Sequence, residues 1–299
     1  MTSPYGYRLE AELHRALRGR PPRGVLEWVR QVIGAARVTR IRALPGGMSS
    51  AVHLLTLETS SGVRERVVLR RYVLDWLADE PYTPGNEAAV LGSLAMTPVP
   101  APTLLAADPD GALTGTPAVV MSALPGRVDW DPKDFESWQR RLAESLCEVH
   151  SVPLWQGLRP FEPYPPAADL CPPPWTRHQW AWERAIELYE RPAPPAKTVF
   201  MHRDYHPGNV LWSRQHITGI VDWVSSCAGP PEADVAHCRS NLARHLGQGA
   251  ADRFLATWQS VAGQRDYHPY WDLTDIVSTV PNEPDEALDE FAASAAARL

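Results

Sequence analysis

The sequence predicts an α+β fold in two lobes: a small β-rich N-terminal lobe with leading helices over residues 1–121, a linker at 122–126, and a larger, mostly helical C-terminal lobe over 127–299. Three observations carry this. Short β-prone runs crowd between residues 38 and 72, and are followed by a single helical segment and one more run. Helical periodicity dominates from residue 134 onward. Inside that helical half stands an isolated hairpin pattern at 210–221.

Taken in order, residues up to about 36 read as two short helices. Leu9, Leu13 and Leu17, then Val25, Trp28, Val29 and Val32, recur at helical spacing, and Arg20-Pro21-Pro22-Arg23 interrupts them because proline cannot continue a helix. Strands are expected at 38–43, 52–57 and 66–72, with turns at Pro45-Gly46-Gly47 and Ser60-Ser61-Gly62. A helix at 86–95 follows, then a strand at 118–121 that enters the linker. The segment 134–150 places Phe135, Trp138, Leu142, Leu146 and Val149 on one helical face. A proline-dense loop, with Pro160, Pro163, Pro165, Pro166 and Pro172-Pro173-Pro174, precedes a helix at 175–189. Further helices are expected at 231–245, 250–262 and 283–297, with no internal repeat and no low-complexity linker.

Composition narrows the function. With 299 residues, 44% hydrophobic and 21% charged, the chain can bury the cores of two lobes. Its formal net charge of −6 argues against a nucleic-acid surface, which needs a basic patch. No apolar run approaches the roughly 20 residues that span a bilayer, and no apolar signal region follows Met1, so a cytoplasmic protein without membrane partners is expected. Cys147, Cys171, Cys227 and Cys238 have no Cys-x-x-Cys spacing, which indicates neither a zinc site nor a disulfide framework. From residue 264 to 299, eight acidic residues face only Arg265 and Arg298, so this segment accounts for the whole charge imbalance.

The most informative stretch is His202-Arg203-Asp204-Tyr205-His206-Pro207-Gly208-Asn209, followed by Val221-Asp222-Trp223. Val210 to Trp212 and Ile217 to Val221 are apolar runs separated by Ser213-Arg214-Gln215-His216, a hairpin signal. Asn209 precedes the first strand and Asp222 follows the second, so antiparallel pairing brings a neutral amide oxygen and a carboxylate together. Such an oxygen pair can grip one Mg²⁺. Asp204 lies one turn away, where it can orient and deprotonate a hydroxyl.

This constellation resembles the aminoglycoside phosphotransferase family, a branch of the protein-kinase-like fold, in which a His-x-Asp-x-x-x-x-Asn loop and a later hydrophobic-hydrophobic-Asp-Trp segment carry the chemistry. The resemblance implies Asp204 as catalytic base and Asn209 and Asp222 as Mg²⁺ ligands, with ATP or GTP as phosphoryl donor. Arg203 stands where the family usually has glycine. Asp234 matches a family aspartate that caps the catalytic loop, and His202 reads as a packed, backbone-bonded histidine. His206 and His237-Cys238 match no zinc spacing and read as packing residues.

On the nucleotide side, Leu44-Pro45-Gly46-Gly47-Met48-Ser49-Ser50 resembles the family's phosphate-covering hairpin, with Gly46, Gly47 and Ser49 as backbone and hydroxyl donors. Taken alone, a Gly-Gly turn is an ordinary hairpin. No lysine occurs before Lys133, so an arginine must hold the α and β phosphates. Arg70 falls where relatives carry that cation, and Glu87 where the helix glutamate pairs with it. Strand alternation lets only one of Arg70 and adjacent Arg71 face the cleft. The linker Val119-Val120-Met121-Ser122-Ala123-Leu124 resembles the adenine-binding segment, whose backbone groups map to Ser122 and Leu124.

On the acceptor side, the acidic tail and the aromatics Trp175, Trp180, Trp182, Tyr267, Tyr270 and Trp271 are candidates, with Asp272, Asp275 and Trp271 named as acceptor-binding residues. Family members acting on polycationic antibiotics line this pocket with carboxylates, which would make the acceptor a cationic antibiotic and the role antibiotic resistance. A solvated charged face is the plainer alternative. Two other functions stay open: a metabolic kinase for choline, homoserine or a sugar, and a catalytically inactive nucleotide-binding regulator. A protein kinase is disfavoured, since Asp222-Trp223-Val224 replaces Asp-Phe-Gly and no Ala-Pro-Glu follows.

Overall fold

The computed structural model describes residues 11–45, 49–163, 170–281 and 283–299. Leu9, Gly46, Gly47, Pro165 and Pro166 of the sequence reading lie outside the described residues. The chain divides into two compact units, Met1–Thr97 with Ala101–Leu124, and Pro98–Pro100 with Pro125–Leu299.

The first unit is built on a five-stranded antiparallel sheet. Its strands are β1 (Arg37–Ala43), β2 (Ala51–Glu58), β3 (Arg64–Arg71), β4 (Leu104–Asp108) and β5 (Ala118–Ser122), in the order β1-β2-β3-β5-β4. The Ala-rich β4 was not foreseen, because Leu-Leu-Ala-Ala-Asp has neither alternation nor β-branched residues. Helices α1 (Ala11–Arg18) and α2 (Arg23–Ile33) precede the sheet, and α3 (Thr83–Leu94) lies between β3 and β4. Val25, Leu26, Trp28 and Val29 of α2 pack on Leu55, Leu57, Val67, Leu69, Ala118 and Val120 of the sheet. Each fully buried leucine here contributes roughly 1.5–3 kcal/mol. Helix α2 stops at Gly34, whose φ of 71° supplies a left-handed cap that L-residues adopt at a cost.

The second unit is helical except for two short antiparallel pairs. Its helices are α4 (Phe135–His150), α5 (Gln179–Tyr189), α6 (Pro231–Leu246), α7 (Gln248–Val261), α8 (Tyr270–Ser278) and α9 (Glu286–Ala296). Asp134 caps α4 by accepting the Ser137 N–H at 3.0 Å, and Asp285 caps α9 through the Leu288 N–H at 2.9 Å. Helix α5 starts four residues later than predicted, since Thr176 and the Arg177 N–H are held by the Asp289 carboxylate instead of a helical turn. Helix α8 is absent from the expected elements, because a segment of nine residues holds too few repeats to establish a helical period.

Strands β6 (Val199–Met201) and β9 (Cys227–Gly229) form one pair, and β7 (Val210–Ser213) and β8 (His216–Ile220) form the hairpin. The hairpin loop is only Arg214-Gln215, with φ of 50° and 65°; positive values at both central residues match the right-handed twist of the strands. Within the second unit, Arg127 is tied to this hairpin by its N–H to Trp212 O at 3.0 Å and the reciprocal bond at 2.8 Å. Gly126 (φ 107°) is required there, because a Cβ would come within 2.9 Å of the Trp212 carbonyl oxygen.

Among the described residues, no helix is long and apolar enough to cross a membrane. The four cysteines are free thiols.

Candidate active site

The loop that carries Asp204 and Asn209 runs from β6 to β7. Its backbone is pinned by Asp234, in the first turn of α6, which accepts the N–H groups of His202 (2.9 Å) and Arg203 (2.6 Å) and also meets His150 Nε2 at 3.0 Å. Arg203 sits at φ 69° and Asp222 at φ 71°, left-handed conformations that cost non-glycine residues about 1–3 kcal/mol each and persist only where the surroundings enforce them. Arg203 compensates by lying over the Phe161 ring at 5.1 Å and bonding the Glu162 carbonyl.

His202 is fully buried against Trp223, with ring centroids 4.4 Å apart. Its Nε2 donates to Val221 O at 3.0 Å and its Nδ1 accepts the Asp204 N–H at 3.2 Å, which fixes a neutral tautomer; burial, outweighing the nearby carboxylates, holds its pKa below the usual value. It is therefore a loop staple, as read from the sequence.

Asp204 is gripped from two sides. Asn209 Nδ2 donates to Asp204 Oδ2 and to Asp204 O, both at 2.9 Å. Two acceptors on that side require the amide nitrogen there, which leaves Asn209 Oδ1 as the remaining donor atom of the amide. The Val221 N–H donates to Asn209 O at 2.9 Å, so the end of the hairpin brings Asp222 beside Asn209. An amide oxygen and a carboxylate are hard donors that suit Mg²⁺.

On its other side, Asp204 Oδ1 lies 2.9 Å from His237 Nε2 of α6 and 3.6 Å from His206 Nε2. His237 Nδ1 meets Asp275 Oδ1 of α8 at 3.0 Å, and Asp275 Oδ2 accepts Ser240 Oγ at 2.6 Å. Burial favours neutral His237, but the Asp275 charge and the bonds to Asp204 and Asp275 outweigh it and raise its pKa well above the usual value. Burial likewise pushes the Asp204 carboxyl up, yet the His237 bond and the neighbouring imidazoles carry it below the usual carboxylate range. Burial takes His206 down to about 4.

Asp204, His206 and His237 converge closely enough to hold a metal ion. The hydrogen bonds argue against it. His206 Nδ1 accepts the Gly208 N–H at 3.1 Å, so the neutral ring carries its proton on the Nε2 that would have to ligate. His237, a packing residue by its sequence spacing, is instead a direct partner of the Asp204 carboxylate, and no local spacing signals it.

In the first unit, alternation along β3 sends the two arginines to opposite faces of the sheet. Arg71 shares its face with Val67 and Leu69, which pack under α2, and its charge reaches His53 on the same face. Arg70 points the other way, where its Nε lies 3.4 Å from Glu87 Oε2 of α3; Tyr72 OH donates to the same oxygen at 2.6 Å. Ser122 spends its backbone N–H on Thr103 O at 2.9 Å, whereas the Leu124 amide has no partner among the described residues. Ser49 accepts Trp76 Nε1 on its carbonyl at 2.9 Å.

The acceptor candidates are placed differently from expectation. Asp272 is fully buried, bonded by Arg239 at 2.9 and 3.1 Å, Arg298 at 2.8 Å and Tyr267 OH at 2.6 Å, so it is a core counter-ion and not a pocket-lining carboxylate. Trp271 is 5% exposed and packs edge-on against Tyr270, and Trp182 is fully buried, while Trp180 is 52% exposed. Asp285 pairs with Arg244, Glu286 with Arg177, Glu290 with His178, and Asp289 with Thr176, Arg177 and Trp182. The tail's charge is thus largely met within the chain.

A family profile described as "Phosphotransferase enzyme family" (APH) matches residues 40–273. Among curated proteins, mouse acyl-CoA dehydrogenase family member 10 is 26% identical over 206 residues, which is 60% of this chain but only 18% of that much longer protein. Among solved structures, a thermostable mutant of aminoglycoside phosphotransferase APH(4)-Ia, in ternary complex with AMP-PNP and hygromycin B, superposes with a TM-score of 0.63 at 16% identity, over 93% of this chain and 96% of that one. Macrolide 2'-phosphotransferase type I gives 0.58 at 18% identity, over 92% and 95%. These superpositions show a two-lobe, kinase-like α+β fold.

Proposed function

The chain belongs to the phosphotransferase enzyme family, and from that premise we propose that it moves the γ-phosphoryl group of ATP or GTP to a hydroxyl of a small molecule. The observation that carries this reading is the double use of Asn209, whose amide nitrogen fixes the Asp204 carboxylate while its carbonyl anchors the strand end that bears Asp222. Asp204 orients the acceptor hydroxyl and takes its proton as the new P–O bond forms. Asn209 Oδ1 and the Asp222 carboxylate would hold Mg²⁺, which when bound offsets the negative charge of the phosphates. Arg70, steadied by Glu87, would hold the α and β phosphates through its guanidinium. Ser49 and the glycines Gly46 and Gly47 would cover the phosphates, and backbone groups of Ser122 and Leu124 would meet the base.

For the acceptor, aminoglycosides and macrolides are the classes by which the structural neighbours are named. The C-terminal carboxylates spent on Arg239, Arg298, Arg244, Arg177 and His237 leave little to attract a polycation, so a weakly charged acceptor fits better than an aminoglycoside. The test is incubation with MgATP or MgGTP and a panel of macrolides, aminoglycosides, peptide antibiotics, amino alcohols and sugars, followed by mass spectrometry for addition of one phosphoryl group. A phosphorylated macrolide-like product supports the reading. Nucleotide binding with neither transfer nor hydrolysis would make the protein an inactive regulator.

A further inference from the structure

Helix α6 contacts the catalytic loop twice from one face. Asp234 and His237 are three residues apart, hence neighbours on the helix surface: Asp234 caps the loop backbone, and His237 reaches the Asp204 side chain. His237 is itself held from behind, with Asp275 of α8 on its Nδ1 and Ser240, a further three residues along α6, on the other Asp275 oxygen. Carboxylates facing both ring nitrogens are satisfied together only if both nitrogens carry protons, so the ring is an imidazolium between two anions.

A carboxyl group turns about a broad, weakly preferred torsion unless its oxygens are fixed. Asp204 has one oxygen held by Asn209 and the other by His237. We propose that His237, braced by Asp275, is a positioning residue for the Asp204 base: it fixes the carboxylate in its working rotamer and supplies a positive charge beside it. This rests on the assignment of Asp204 as base. The charge keeps the Asp204 carboxyl ionised, so that it can accept the hydrogen bond of the acceptor hydroxyl. A carboxylate so stabilised is a weak proton acceptor, which suits a loose phosphoryl-transfer transition state in which the hydroxyl is mainly oriented and its proton leaves late.

The test uses the full chain and MgATP hydrolysis, with water as acceptor, together with ¹⁵N-histidine NMR. His237→Ala is expected to lower kcat about tenfold or more with the MgATP KM unchanged, since orientation is lost and donor binding is not. His237→Gln, which keeps a donor near the Nε2 position, is expected to recover part of that loss. The NMR spectrum is expected to show His237 with both ring nitrogens protonated at neutral pH in wild type, and a lost or shifted signal in Asp275→Asn. A neutral His237 ring, a kcat for His237→Ala within about twofold of wild type, or an equal loss in the Gln and Ala variants would each overturn the proposal. Asp204→Asn, run alongside, separates the two ideas: if it turns over normally, the base assignment has failed, and if it is dead while His237→Ala is intact, only the positioning role has failed.

Discussion

The Val221 backbone N–H donates to the carbonyl of Asn209 at 2.9 Å, closing the mouth of the β7–β8 hairpin and setting the two metal-ligand candidates side by side. Asp222→Ala removes the charged ligand and is expected to weaken Mg²⁺-nucleotide binding as well as turnover. Asn209→Ala removes a neutral one and should do so more mildly, with an added kcat loss from the freed Asp204 carboxylate. Mg²⁺ titrations of nucleotide binding and turnover check this, and an unchanged Mg²⁺ dependence in both variants refutes the metal site.

Arg70 and Arg71 stand on opposite faces of β3, so their variants should separate. Arg70→Ala is expected to raise the nucleotide KM and lower kcat, and Arg70→Lys to retain part of the activity, because the cation survives while its bidentate fork is lost. Arg71→Met should leave the nucleotide KM near wild type. The reverse pattern in steady-state kinetics would put the phosphate-binding cation on the wrong face.

Asp272 balances the buried Arg239 guanidinium. Asp272→Ala strands that charge in the core and should cost about 3–5 kcal/mol in denaturant unfolding. The acceptor KM should move little in whatever folded fraction remains. A stable variant with a strongly raised acceptor KM would restore Asp272 to the acceptor pocket.

His53 is buried beneath α1, and burial, reinforced by the Arg71 charge, lowers its pKa. Its folded value lies below its unfolded value of about 6.5, so the unfolded chain binds the proton first. Stability from this group is present above that pH and is lost as pH falls through 6.5 toward the folded value. His53→Gln should flatten the fall in unfolding free energy below about pH 6.5, measured by denaturant titration across pH. A slope identical to wild type contradicts it.

How much of this was legible in the sequence depended on range. The hairpin was readable because two apolar, β-prone runs flank a polar turn, which places Asn209 and Asp222 at its mouth, whereas the roles proposed for them and for Asp204 come from the family resemblance. Arg70 could not be told from Arg71, since alternation says that they diverge but not which face α2 covers. The pairing of His237 with Asp275 spans 38 residues and two helices, one of them unread, so nothing local announced it. The acidic tail was ambiguous in the sequence because net charge records how many carboxylates there are and not which of them already hold an arginine.

The central claim is that Asp204 is the base of a phosphoryl transfer, and the most direct measurement is γ-phosphate release or transfer from MgATP and MgGTP by wild type and Asp204→Asn, with nucleotide affinity measured on the same samples. A fall in turnover of about 100-fold or more with nucleotide affinity unchanged is the predicted result. An Asp204→Asn protein that turns over near the wild-type rate would contradict it.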